Sequence, residues 1–180
     1  MSPTPQSKFL SWDLVEKAIS REIKWLKKIL PESPHKDKSE DKICRDCIYR
    51  RLAILIVSGN ISAKDIKSTN SLWGGEGALP DIGKSHGKEW HTKTMRIISN
   101  YFRSLDYEVI IEPNLNMGRA DLGAYKKNER NLFIEIGTVS LPKLLFNLES
   151  MEGSDVLIVT DRNRAIEFSI LKAGYKSHST

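Results

Sequence analysis

A chain of 180 residues, 39% hydrophobic and 28% charged, has room for one ordinary domain or a compact core with a smaller appendage. No apolar run approaches the roughly 20 residues that cross a bilayer, and the polar N-terminus does not resemble a signal peptide, so membrane and secreted readings are set aside and the cytoplasm is the default. Residues 1–70 hold 14 Lys+Arg against 9 Asp+Glu and the remaining residues hold 14 of each, so the whole formal excess of +5 lies in the N-terminal part. A basic appendage on a neutral core suits a polyanionic partner; a solvated Lys-rich helical surface is the plainer alternative.

The first ten residues, with Pro3 and Pro5, read as frayed. Ser11 or Asp13 can cap a helix whose apolar stripe is Leu14, Ala18, Trp25, Leu26, Ile29 and Leu30 and which Pro31 ends. Its other face carries Lys17, Arg21, Lys24, Lys27 and Lys28. After a polar linker, PESPHKDKSEDK, a second helix is expected from about Asp41 to Ser58, stopped by Gly59 and Asn60. It carries the only two cysteines, Cys44 and Cys47. A disulfide across that spacing is strained inside a helix and disfavoured in a reducing cytosol. A structural Zn²⁺ needs four ligands; His35 offers a third, and a fourth must come from elsewhere or from a partner chain. Two reduced cysteines on a helix is the preferred reading.

Ser62 can cap a short third helix, SAKDIKS, which completes a basic helical region over residues 1–70. Residues 71–84 form a glycine-rich connection, and an α/β core follows over 85–180. A helix from about Ser85 to Leu105 lines up His91, Met95, Ile98, Phe102 and Leu105 on one face. YEVIIE, ADLGAY and NLFIEIG read as strands, with KKNERN as a turn between the second and third. Ser140 caps and Pro142 opens a helix through LPKLLFNLESM; DVLIVT is a buried strand, and AIEFSIL is either strand or helix. The order helix, three strands, helix, strand is that of an α/β sandwich.

Two acids interrupt otherwise apolar strands. Asp121, Gly123 and Tyr125 share one strand face, as do Phe133, Glu135 and Gly137, so a hairpin can set the two carboxylates side by side at its open end. Adjacent, partly buried carboxylates stay ionised together only with a cation between them, and oxygen ligands of this kind suit Mg²⁺ or Mn²⁺. His91, on the apolar face of its helix, is a candidate to bind metal, contact phosphate or position water, or is a satisfied core histidine. Glu89 should point elsewhere. Glu112 can add a carboxylate or end its strand in solvent. Arg119, Lys126 and Lys127 can meet phosphates or solubilise the turn.

The stretch GRADLGAY…NLFIEIGT, with its flanking helices and DVLIVT, resembles the PD-(D/E)xK nuclease superfamily, the restriction-endonuclease-like fold that includes archaeal Holliday-junction resolvases. The resemblance covers about residues 85–160 and leaves out residues 1–70. It implies an αβββαβ core with a mixed sheet, and matches Asp121 to the family's first acid and Glu135 to the second. The family lysine two residues after the second acid is here Gly137; in this superfamily that lysine can move to the next helix, where Lys143 lies one turn in. Gly137, having no side chain, would leave room for that amine to reach in or would mark a strand-end bulge. The function implied is a metal-dependent DNA endonuclease. Asp121 and Glu135 would hold Mg²⁺ or Mn²⁺, Lys143 and His91 would assist catalysis, and Arg119, Lys17, Lys24 and Lys28 would bind DNA, in a homodimer that presents two sites. The alternative is a nucleic-acid-binding or assembly module on a nuclease-like scaffold that does not cleave; a zinc-containing regulator built on CRDC is a third.

Overall fold

A computed structural model describes residues 11–31, 44–67, 73, 87–161 and 164–172. Residues 1–10, His35 and the linker around it, and all of the glycine-rich connection except Trp73 lie outside the described residues. Four helices are present among the described residues: α1 (Trp12–Ile29), α2 (Arg45–Val57), α3 (Lys88–Ser104) and α4 (Leu141–Ser150). Six strands accompany them: β1 (Ile61–Lys67), β2 (Glu108–Ile111), β3 (Leu122–Tyr125), β4 (Asn131–Ile136), β5 (Ser154–Asp161) and β6 (Arg164–Ile170). The strands form one mixed sheet in the order β1-β6-β5-β4-β3-β2. All neighbours are antiparallel except β4 and β5, which α4 joins by a parallel crossover. No helix among the described residues is long and apolar enough to cross a membrane.

The central strand β5 explains why the sheet is covered on both sides. Its successive side chains alternate: Val156 and Ile158 enter a core with α1, α2 and α4, whereas Leu157 and Val159 enter a second core with α3 and Trp73. Leu26 of α1, Leu52 of α2 and Leu148 of α4 are fully buried in the first core. Ile98 and Phe102 of α3 fill the second against Leu122, Ala124, Ile134 and Ile136. The result is three layers, helices–sheet–helix, as the alternation of helical and strand periods led one to expect.

The expectation fails at SAKDIKS: its residues 62–67 belong to strand β1, Ile61–Lys67, and not to a helix, and Ser68 lies outside the described residues. The segment has a period of two, with Ile61 buried, Ser62 exposed, Ala63 half-buried and Lys64 exposed, and seven residues are too few to nucleate a stable isolated helix. β6 offers it an open edge over seven paired residues, and Arg164 clamps Asp65 through two hydrogen bonds of 2.9 Å. The Asp65 carboxyl is held below its ordinary pKa chiefly by that hydrogen-bonded guanidinium. The basic N-terminal region thus contributes the edge strand of the sheet, and its two helices share a core with α4. AIEFSIL, left open between strand and helix, is β6. Pro31 ends α1 as expected, and its carbonyl accepts a 3.0 Å hydrogen bond from Val139 N–H, tying the C-terminal end of α1 to the loop between β4 and α4.

Candidate functional site

The two acids come together at one end of the sheet. Asp121 immediately precedes β3, and its backbone extends the ladder: its N–H donates to Ile134 C=O at 3.1 Å and its C=O accepts from Glu112 N–H at 3.0 Å. Glu135 lies in β4 beside Ile158 of β5, facing the α4 layer, and is 7% exposed. Asp121 turns across the sheet end instead. Its Oδ2 accepts from Ile136 N–H at 2.6 Å, and its Oδ1 is 3.2 Å from His91 Nε2 on α3, on the other side of the sheet. The Asp121 carboxylate thus ties the end of β4 to α3, while Glu135 faces the α4 layer.

The charges explain one another. Burial pushes the Glu135 carboxyl above its ordinary pKa; the hydrogen-bonded Lys143 ammonium opposes this, the Asp121 charge adds to it and His91 acts against it. The hydrogen bond to Asp121 raises the pKa of His91, with partial burial acting in the opposite direction. His91 is thus neither a ligand pointing into open space nor a plain core residue, but the partner of an acid. Glu89 is away from it, exposed and paired with Lys93 at 2.6 Å on its own helix, as the helical angle predicts.

Lys143 occupies the first turn of α4, and its Nζ lies 2.6 Å from Glu135 Oε1 while also donating to the Arg119 carbonyl. Its stem does not use space beside Gly137. A Cβ built on Gly137 would face Trp90 Cζ3 at 3.8 Å, whereas one built on Gly118 would meet three carbons of the Lys143 stem at 3.5–3.9 Å. Gly137 is required by its backbone, at φ +91°, where the chain leaves β4 and its N–H bonds Val159 C=O. The glycine over which the lysine passes is Gly118.

Sequence reasoning missed Asn147. It is 3% exposed, one turn beyond Lys143, and its amide bonds both backbone groups of one residue: Met117 N–H donates to Oδ1 at 3.0 Å, and Nδ2 donates to Met117 C=O at 3.1 Å. One further turn along, Ser150 Oγ accepts from Asn116 Nδ2 at 3.0 Å. Lys143, Asn147 and Ser150 form a polar row at steps of four and three that seats a tight turn, in which Leu115 N–H bonds Gly118 C=O and Asn114 bridges Arg119. The signal was present as polar residues at helical spacing beside Leu144, Leu145 and Leu148.

Arg119 ends that turn beside Asp121, and its guanidinium reaches Glu112 at 3.0 Å in an exposed pair. Lys126 and Lys127 are not brought to the site. They follow the far end of β3, about 13 Å along the strand from its start, where Lys126 bonds Leu105 C=O and pairs with Glu129. On α1, Lys17, Arg21, Lys24 and Lys28 form an exposed row about 16 Å long. Among the described residues Lys17, Lys24 and Lys28 make no ion pair, while Lys27 is engaged with Asp46 at 2.6 Å.

Among the described residues, no three His, Cys, Asp or Glu side chains converge in a metal-ligating arrangement. The donor chemistry nevertheless fits Mg²⁺ or Mn²⁺: two carboxylates from adjacent strands meet at one sheet end, balanced here by the Lys143 ammonium and the His91 ring. Comparison of the chain with protein-family models, with curated proteins and with solved structures finds no match.

Proposed function

We propose that this chain is a Mg²⁺- or Mn²⁺-dependent DNA endonuclease of the restriction-endonuclease-like type, hydrolysing phosphodiester bonds in the cytoplasm as a homodimer. The observation that carries the reading is the reach of Lys143 to Glu135 at 2.6 Å, at the sheet end where Asp121 also lies. Two acids and an amine share one site although Gly137 stands where the family's motif places the amine. The arrangement α3-β2-β3-β4-α4-β5, an antiparallel meander followed by a parallel crossover, supports the same reading.

Asp121 and Glu135 are the residues that would hold the metal; when bound, it polarises the phosphoryl oxygen and lowers the pKa of the attacking water. Lys143 supplies positive charge for the phosphate from the first turn of α4, where the helix end already favours an anion. His91 fixes the orientation of Asp121 through Oδ1, and the Ile136 N–H fixes it through Oδ2. Arg119 and the α1 row of Lys17, Lys24 and Lys28 would meet backbone phosphates, and the bond from Val139 to Pro31 anchors that row to the loop after Glu135.

A second reading, a nucleic-acid-binding module that does not cleave, is favoured by one feature. Both carboxylates already have protein partners, so the site is internally balanced as it stands. Nicking of supercoiled plasmid with Mg²⁺, Mn²⁺ or EDTA, in the parent and in Asp121→Asn, separates the two. Metal-dependent nicking that disappears in the variant, with the fold retained by circular dichroism, is expected. Nicking at the parental rate in Asp121→Asn would overturn the site assignment, and salt-sensitive DNA binding with no nicking in either metal would select the second reading.

A further inference from the structure

Cys44 and Cys47 take no part in the site above, and both are exposed free thiols. Two things oppose a bridge between them, helical strain and a reducing cytosol; the structure removes half of the first, and a bridge that forms only transiently is compatible with the second. Helix α2 begins at Arg45, so Cys44 is its N-cap residue, with φ −59° and ψ 111°, outside helical geometry, and only Cys47 is held in the first turn. Side chains three apart on a helix have Cβ atoms about 5–6 Å apart. A disulfide needs about 3.5–4.5 Å. Rotation about the non-helical backbone of Cys44 can take up that difference without unwinding a helical turn.

We propose that Cys44 and Cys47 form a redox-active dithiol that closes reversibly into an intramolecular disulfide at the N-terminus of α2. The two thiols are chemically unequal in a way that suits this. Cys44 makes no cap hydrogen bond, yet the adjacent Cys47 thiol, and then the Cys47 and Asp46 backbone N–H groups, hold its pKa below that of an ordinary thiol. The same contact with Cys44 is the main cause that pushes the Cys47 thiol up. Cys44, at the N-cap where the first-turn N–H groups face its sulfur, is therefore the attacking thiol, and Cys47, inside the first turn, the resolving one.

The oxidant is a small-molecule disulfide of the glutathione class. The Cys44 thiolate attacks one of its sulfurs, breaking that S–S bond, releasing one thiolate and leaving a mixed disulfide on Cys44. Cys47 then loses its proton and attacks the Cys44 sulfur, expelling the second thiolate. Two protein thiols are oxidised, one disulfide is reduced to two thiols, and the two protons lost by the cysteines end on the released thiols. The closed ring would contain Asp46, whose carboxylate pairs with Lys27 of α1 at 2.6 Å, so the switch adjoins the basic helix.

The test uses the full chain, stripped of metal, equilibrated in mixtures of reduced glutathione and glutathione disulfide, quenched in acid, alkylated and weighed intact. A species lacking two hydrogens, with neither cysteine alkylated, should form reversibly. Cys47→Ser should instead accumulate a mixed disulfide on Cys44, and Cys44→Ser should react several-fold more slowly, because Cys47 lies inside the first turn and lacks the N-cap position that sets Cys44 beside the Asp46 and Cys47 backbone N–H groups. Mixed disulfides at both cysteines without an internal bond, or equal rates in the two variants, would overturn the proposal. So would stoichiometric zinc in protein purified without chelator, since it would assign the thiols to a metal. None of these readouts depends on nuclease activity.

Discussion

Replacing Lys143 with methionine keeps a long stem against Gly118 but takes the ammonium away from a carboxylate with little water to turn to. The side chains of Lys143 and Glu135 are 20% and 9% exposed, and 2.6 Å separates the charged atoms. At an effective dielectric of about 20, unit charges that close attract by about 6 kcal/mol. The variant no longer desolvates an ammonium and can protonate Glu135, so the net loss should be smaller, about 3 kcal/mol, at the low end for breaking a buried pair. In a chain of this size that is a fall in Tm of about 6–12 °C. The sign of the pH dependence follows from Glu135. Burial raises its pKa in the folded protein and Lys143 opposes the rise, so the variant's pKa moves higher still. A carboxyl with a raised folded-state pKa favours folding while protonated, and that advantage is lost as pH rises through the folded value. In EDTA the two proteins should therefore melt within a few degrees of each other at about pH 4 and show the full gap at about pH 8, near and well above an ordinary glutamate pKa. Mg²⁺ should narrow the gap at the higher pH by supplying the missing charge. A fall of equal size at both pH values would refute the argument, because it would reflect packing of the stem and not charge.

Changing Lys17, Lys24 and Lys28 together to Gln should reduce the slope of log affinity against log salt for a DNA duplex by about 2–3, measured by fluorescence anisotropy; an unchanged slope would place binding elsewhere. Asn147→Ala deprives Met117 of both backbone partners, costing about 1–3 kcal/mol, and should speed hydrogen exchange at Met117 and Gly118 while leaving the β5 amides protected. Unchanged exchange in that turn would mean Asn147 does not hold it. Gly137→Ala should cost about 1–3 kcal/mol in denaturant melts because of its positive φ, with no clash to blame, and a wild-type midpoint would refute that account.

Legibility in the sequence tracked how local the determining physics was. The helices α1, α3 and α4 announced themselves through apolar residues at helical spacing, and Pro31 and Pro142 fixed their limits. The acids could be placed because each broke a strand pattern at a definite parity. β1 and β6 were harder for a single reason: each is specified largely by the other. ISAKDIK alternates too weakly to identify itself until the β6 edge and Arg164 are in view. Asn147 was hidden because its role is to satisfy a backbone thirty residues earlier, which no local period records. Gly137 was misread for a related reason. Its absent side chain drew attention, although its positive φ is what the chain needs there, and the lysine's clearance is provided by Gly118, well before it in the chain.

The arrangement of α4 bears on how such a site could change state. Lys143 serves two acceptors, the Glu135 carboxylate and the Arg119 carbonyl, so a ligand that drew the ammonium off Glu135 would not by itself cut the turn loose. Asn147 and Ser150 would still hold Met117 and Asn116 one and two turns along. Arg119 and the start of β3, which carries Asp121, would keep their place while the charge of Lys143 was redirected. A lysine at position 137 could not do this. It would stand at the end of a strand with a strained backbone, facing Trp90, with no helix to anchor the turn behind Asp121. Carried on α4, the Lys143 amine has a mount that also steadies the turn leading to Asp121. The Asn147→Ala protein offers the discriminating case. If the mount matters to the site, metal-dependent nicking should fall even though Lys143 and both carboxylates are intact, and restoring only the acceptor with Asn147→Asp should recover less than the full amide does.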